Sequence, residues 1–265
     1  MTAGLPPGGY RRYVALGDSS TEGLDDPYDG EDGGYRGWAD RLAEHIDAAW
    51  PGLEYANLAV RGRQAGEVER EQLRPALALQ PDLVSVFAGL NDVLRPRVDL
   101  AAVAGALTRM MTALRAGGAT VLTITVPDAG PVNPIARPLR RRVEWLNDAI
   151  RDAAARTGTL ICDVAAYPIA SDPRMWSPDR LHANSLGHER IAAGLAQTLA
   201  LPGSSASWMN PLPAAPRLDL RSALTAELIW GRRYFLPWLG RRLRGASSGD
   251  SIIAKRPQPL PVRQR

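Results

Sequence analysis

The chain has 265 residues, long enough to bury a sizeable core, and 45% of them are hydrophobic. Its net charge of +4 hides an asymmetry: residues 1–202 carry 21 arginines against 25 carboxylates, net −4, whereas residues 203–265 carry 11 basic and 3 acidic groups, net +8. The basic surplus belongs to an appendix, and the first 202 residues show no basic stripe interleaved with aromatics, which argues against nucleic acid as a partner. One cysteine, Cys162, excludes an internal disulfide, and its apolar neighbours Leu160 and Ile161 mark it as a small buried hydrophobe.

Residues 1–12 are rich in Gly and Pro and lack an apolar signal-like core, and no run of 18 apolar residues occurs. These features suit a cytoplasmic protein, at most peripheral at a membrane. Five apolar runs have strand character: Tyr13 to Leu16, Glu54 to Val60, Leu83 to Ala88, Thr120 to Val126 and Thr159 to Val164. Between them, Trp38, Leu42, Ile46 and Ala49, then Val103, Leu107, Met110 and Leu114, then Leu139, Val143, Leu146 and Ile150 fall at helical spacing. A further helix from about Leu186 to Leu199 closes the pattern. Strands alternating with helices predict right-handed crossovers and a five-stranded parallel sheet in a three-layer α/β/α sandwich with flavodoxin-like order.

Ligands in such sheets collect at the carboxyl ends of the strands. The first strand ends in Gly17-Asp18-Ser19-Ser20-Thr21-Glu22-Gly23, which puts Ser19 where a nucleophile would stand, although Asp-Ser is equally ordinary turn and cap chemistry. The acidic stretch Leu24 to Gly34 that comes next reads as a solvated, mobile loop. Past the second strand, Gly62 offers a backbone N–H. After the third, Gly89-Leu90-Asn91-Asp92 presents the Asn91 amide as a donor for developing negative charge, with turn duty as the commoner explanation and Asp92 as a structural cap of the segment after it.

There are three histidines. His45 and His188 fall on or beside packed helix faces. His182 instead lies in the polar loop Ser177 to Asn184 after the fifth strand, on the same sheet edge as Ser19. Asp179, three residues earlier, can accept its Nδ1–H. Three histidines without a His-x-x-x-His pair, and one cysteine, give no convincing zinc-ligand set, and nothing calls for a cofactor.

Together these blocks resemble the SGNH hydrolases, also called GDSL-type esterases and lipases. Gly17-Asp18-Ser19 with Gly23, then Gly62, then Gly89-Leu90-Asn91-Asp92, then Asp179-Arg180-Leu181-His182 appear in the family's order over about residues 13–200. The resemblance implies a serine esterase acting on carboxylic esters, short-chain acyl or acetyl esters of lipid or carbohydrate among them. Ser19 attacks, His182 serves as base and then acid, and Asp179 orients it. The Ser19 and Gly62 amides and the Asn91 side chain form the oxyanion hole, and no metal or other cofactor takes part. The same triad would serve an acyltransferase or thioesterase, and a non-catalytic module docking through the tail is the reading of another class. Ser20 stands where many relatives carry an aliphatic residue.

The hydrolase domain is expected over 1–202. Beyond it, residues 203–216 read as a linker. A helix near 218–240 would align Leu220, Leu224, Leu228, Gly231, Phe235 and Trp238, with Arg232, Arg233, Arg241, Arg242 and Arg244 nearby. That stripe suits an anionic lipid surface, a protein partner, or packing back on the domain, with Pro237 interrupting it. Residues after Gly245 are short of apolar side chains and read as disordered.

Overall fold

The computed structural model describes residues 6, 8–28, 34–214, 225, 227–237, 240, 249 and 251–263. Leu220, Leu224, Trp238, Arg241, Arg242 and Arg244 of the expected tail stripe lie outside them, as do residues 29–33 of the acidic loop.

The apolar run after Arg11 becomes β1 (Arg12–Gly17), whose Tyr13, Val14, Ala15 and Leu16 are fully buried. A short helix, α1 (Ser19–Glu22), starts at once, and α2 (Gly37–Ala49) comes after the acidic loop. Then come β2 (Glu54–Asn57), α3 (Ala65–Ala78), β3 (Leu83–Phe87) and the single turn α4 (Leu90–Val93). The second half adds α5 (Leu100–Ala116), β4 (Thr120–Ile124), α6 (Arg140–Thr157), β5 (Leu160–Cys162) and α7 (Ser185–Thr198). Continuous apolar strands are what a sheet covered on both faces demands. Here α2 packs on α7, while α3, α5 and α6 adjoin one another as the second helical layer.

The sheet has six strands rather than the expected five, in the order β5-β4-β3-β1-β2-β6, and it is not all parallel. The added strand, β6 (Arg256–Pro261), runs antiparallel along β2, pairing Tyr55 with Leu260 and Asn57 with Arg256. It falls where the sequence reads as disordered. Its three prolines exclude it from a sheet interior but are tolerated on an edge. Arg256 supplies what the prolines lack, donating from Nε to the Tyr55 carbonyl at 2.7 Å with its guanidinium over the Tyr55 ring. Just before it, Lys255, the chain's single lysine, donates from Nζ to the Tyr35 and Arg36 carbonyls at 2.7 and 2.9 Å and pairs with Asp40.

Helix α3 occupies a segment without an apolar stripe. Its buried face consists of Ala65, Val68, Gln72 and Ala76, too small and polar to register as periodicity. The acidic loop also departs from a solvated one in its described part. Asp26 is buried, accepts from the Gly37 N–H at 3.0 Å and pairs with Arg41 at 2.7 Å.

Candidate active site

Ser19 stands just past β1, and the end of that strand is held rigidly. The Gln72 side chain accepts from the Gly17 N–H and donates to the Gly17 carbonyl, both at 2.9 Å. Only glycine fits there, because a Cβ would stand 2.3 Å from Thr21 Oγ1 and 2.5 Å from the Phe87 carbonyl. Asp18 caps α1 by accepting from the Ser20 N–H.

His182 reaches Ser19 from the turn between β5 and α7. Ser19 Oγ lies 2.8 Å from His182 Nε2, and His182 Nδ1 lies 2.7 Å from Asp179 Oδ2, so the three residues form one continuous relay. The other Asp179 oxygen accepts from the Leu181 and His182 N–H groups at 2.8 and 3.0 Å and from the Ser177 hydroxyl. Burial pushes Asp179 up, but the imidazole and these donors outweigh it and hold the carboxyl well below its usual range. Burial likewise pushes His182 down, and Asp179, Asp25 and Asp18 together leave it above the ordinary imidazole value.

Nothing in the sequence singles out Asp25. Its carboxylate lies 2.7 Å from the Ser177 hydroxyl, whose single proton it shares with Asp179, and stands 3.8 Å from His182 Nδ1. Ligand atoms of Asp25, Asp179 and His182 fall within 4.8 Å of one another, close enough to meet one ion, yet Asp179 and His182 are already hydrogen-bonded to each other.

On the oxyanion side the residues are present but not equally poised. The Ser19 and Gly62 N–H groups donate to no acceptor among the described residues. The Gly62 loop is anchored by its neighbour: the Arg61 N–H donates to buried Glu22 at 2.9 Å, and the Arg61 guanidinium pairs with the same carboxylate. Asn91 has both amide hydrogens engaged, one on Asp18 Oδ2 at 2.9 Å and one on the Arg63 carbonyl at 3.0 Å. To serve an oxyanion it must share the first. Burial pushes Asp18 up to about 6, so this acceptor is lost to protonation only below that pH. Asp92 is a cap, but of α3 rather than of the segment after it, accepting from the Ala65 N–H at 2.9 Å.

The remaining histidines have other roles. His188 is fully buried, its Nδ1 accepting from the Trp38 N–H and its Nε2 donating to the Leu24 carbonyl, both at 3.0 Å, and burial lowers it to about 4. His45 is exposed instead of packed. Beside the relay opens a cavity of about 110 Å³. Ser19, Asn91 and His182 line it together with mostly apolar side chains, among them Phe87, Leu90, Ile124, Val126, Met175 and Trp208, and Gly62 is not part of the lining.

The GDSL-like lipase/acylhydrolase family model matches residues 15–190, about two thirds of the chain. The chain belongs to that family. This GDSL-like hydrolase is also similar in fold to solved structures. LAE5, described as an alpha/beta hydrolase enzyme from the metagenome of Lake Arreo, Spain, superimposes with a TM-score of 0.62 at 22% identity, covering 73% of this chain and 97% of its own. A catalytic mutant of Axe2, an acetylxylan esterase from Geobacillus stearothermophilus, gives 0.60 at 19% identity over 80% and 100% of the two chains. EstA, a psychrotrophic esterase from Pseudoalteromonas sp. inhibited by monoethylphosphonate, gives 0.55 at 19% identity over 72% and 97%. No curated protein matches the sequence. Among the described residues, no helix of this GDSL-like hydrolase is long and apolar enough to cross a membrane.

Proposed function

We propose that this GDSL-like hydrolase cleaves carboxylic esters with an apolar acyl group through an acyl-enzyme on Ser19. The observation that carries the reading is the unbroken relay from Ser19 Oγ to His182 Nε2 and from His182 Nδ1 to Asp179, at 2.8 and 2.7 Å. Neutral His182 takes the serine proton as Oγ attacks the ester carbonyl, and Asp179 holds the tautomer and stabilises the imidazolium. The imidazolium then protonates the leaving alcohol, and His182 activates the water that releases the acid. The N–H groups of Ser19 and Gly62 and the Asn91 amide stabilise the tetrahedral oxyanion.

The acyl preference comes from the cavity. Its walls offer apolar surface and few polar partners, which favours a short aliphatic chain over a bare acetyl group. In the similar folds, acetylxylan esterase and a phosphonate-inhibited esterase accord with ester hydrolysis while leaving acyl length open.

A fluorophosphonate probe combined with peptide mapping tests the nucleophile: the adduct is expected on Ser19, and an adduct on Ser20 or none at all overturns the assignment. A panel of p-nitrophenyl esters from acetate to octanoate tests the cavity separately. Higher kcat/KM for butyrate or hexanoate than for acetate is expected, and an acetate optimum overturns the apolar-acyl reading.

A further inference from the structure

The described part of the C-terminal extension meets the protein at the turn that carries both the acid and the base. Trp230, only 8% exposed, donates from its indole Nε1–H to the Asp179 main-chain carbonyl at 3.2 Å. The next residue, Arg180, adopts φ +59°, left-handed backbone that a non-glycine residue holds only when its surroundings over-determine it. Within the turn the Arg180 N–H donates to the Ser177 carbonyl at 3.0 Å and the Asp179 carboxylate holds the next two N–H groups, while the Arg180 side chain is held by the extension. The Arg180 guanidinium lies over the Trp230 ring, 4.6 Å from its centroid, and makes two hydrogen bonds to Glu227, at 2.7 and 2.8 Å. Phe235 stacks on Trp230 from the next turn of the same helical segment, 227–237.

The extension returns to the other side of the same rim. Gly249 lies so close to the Arg61 carbonyl, one residue before Gly62, that a Cβ would stand 2.0 Å from it. Lys255 and β6 then fasten the chain to the Tyr35 and Arg36 carbonyls and to β2.

We propose that Trp230, and Glu227 acting through Arg180, are positioning residues: they clamp the Asp179–His182 turn in the conformation that aims the imidazole at Ser19. This rests on the reading of Ser19, His182 and Asp179 as the catalytic relay. The clamp touches neither substrate nor reacting atoms. It acts by fixing the peptide between acid and base, so its loss is felt as poorer alignment of His182 rather than weaker substrate binding.

The test uses the full chain with Trp230→Phe, which keeps the ring and removes the N–H, and Glu227→Gln, a half-exposed near-isosteric change. Fluorophosphonate titration counts competent sites, and kcat per site, KM and the pH profile are measured together. Trp230→Phe is expected to lower kcat per site roughly tenfold, and Glu227→Gln about threefold, with KM nearly unchanged. In both, the acid limb of the profile moves to lower pH, because a displaced Asp179 no longer supports the imidazolium and Asp25 and Asp18 are the carboxylates left facing the ring, with His188 the nearby second imidazole. Unchanged kcat per site and an unmoved acid limb in both variants overturn the clamp, even if their melting temperatures fall. A wild-type chain that takes no label fails the relay reading instead, a result distinct from either.

Discussion

Ser19 sits one residue past Asp18, at the end of a strand buried from Tyr13 onward, whose final peptide is gripped on both sides by Gln72. His182 sits on a turn with no regular secondary structure, held by the Asp179 carboxylate folding back on two N–H groups and by Trp230 from outside the first 202 residues. Ser19, the proposed nucleophile, is thus placed by the core of the sheet, and His182, the proposed base, by polar contacts on its rim. Disturbing the first should unsettle the fold, while the second can be disturbed with the fold standing.

The sharpest separation is expected from Asp179→Asn. Wrong-tautomer imidazole should cost roughly 10³-fold or more in kcat/KM while the chain remains folded. The pH profile sharpens the point. Only neutral His182 accepts the serine proton, so in the wild type the rate should rise through a pKa above the ordinary imidazole value, and in Asp179→Asn that limb should shift to lower pH. Equal acid limbs in the two proteins would show that Asp179 does not support the imidazolium.

His188 bridges the two regions, bonded to Leu24 behind the serine and to Trp38 beneath α7. Its folded value of about 4 lies below that of an unfolded histidine, so its contribution is complete above about pH 6.5 and is lost as pH falls toward 4 while the unfolded chain takes up the proton. Unfolding free energies from urea titrations across that window should drop by on the order of 3 kcal/mol from this group, and His188→Asn should flatten the slope.

Next in size, Asn91→Ala should lower kcat by about 10²-fold if its amide reaches the oxyanion, and a change under about twofold would assign Asn91 to bracing Asp18 and Arg63 alone. Smallest in free energy, Gln72→Met should cost about 2 kcal/mol of stability, because it leaves the buried Gly17 N–H without its acceptor and the Gly17 carbonyl with only the longer bond from the Val60 N–H, at 3.3 Å. Stability unchanged in urea would mean that the strand end does not depend on that amide.

Much of this comparison was legible in the residues. Val14 to Leu16 and Leu83 to Phe87 declare buried strands because both their faces need apolar side chains, and a parallel sheet brings their ends, with Ser19 and the His182 turn, to one edge. What escaped is held by single polar contacts. Gln72 on a weakly apolar helix, Asp25 among four aspartates of one loop, and Glu22 beneath Arg61 have no periodicity to betray them. The sixth strand escaped because Arg256-Pro257-Gln258-Pro259-Leu260-Pro261 has the composition of a linker, and only an edge already presented by β2 makes it a strand. His45 shows the converse, a helical position beside the apolar stripe that turned out to face water.

Lys255 carries the one ε-amine of the protein, and its protons are directed at two carbonyls and a carboxylate. The α-amino group aside, the folded enzyme should therefore resist acylating reagents that target amines, and release of its last strand from β2 should uncover a new point of attack. Mass added by an N-hydroxysuccinimide ester would then report the detachment of that strand in real time, without any engineered label.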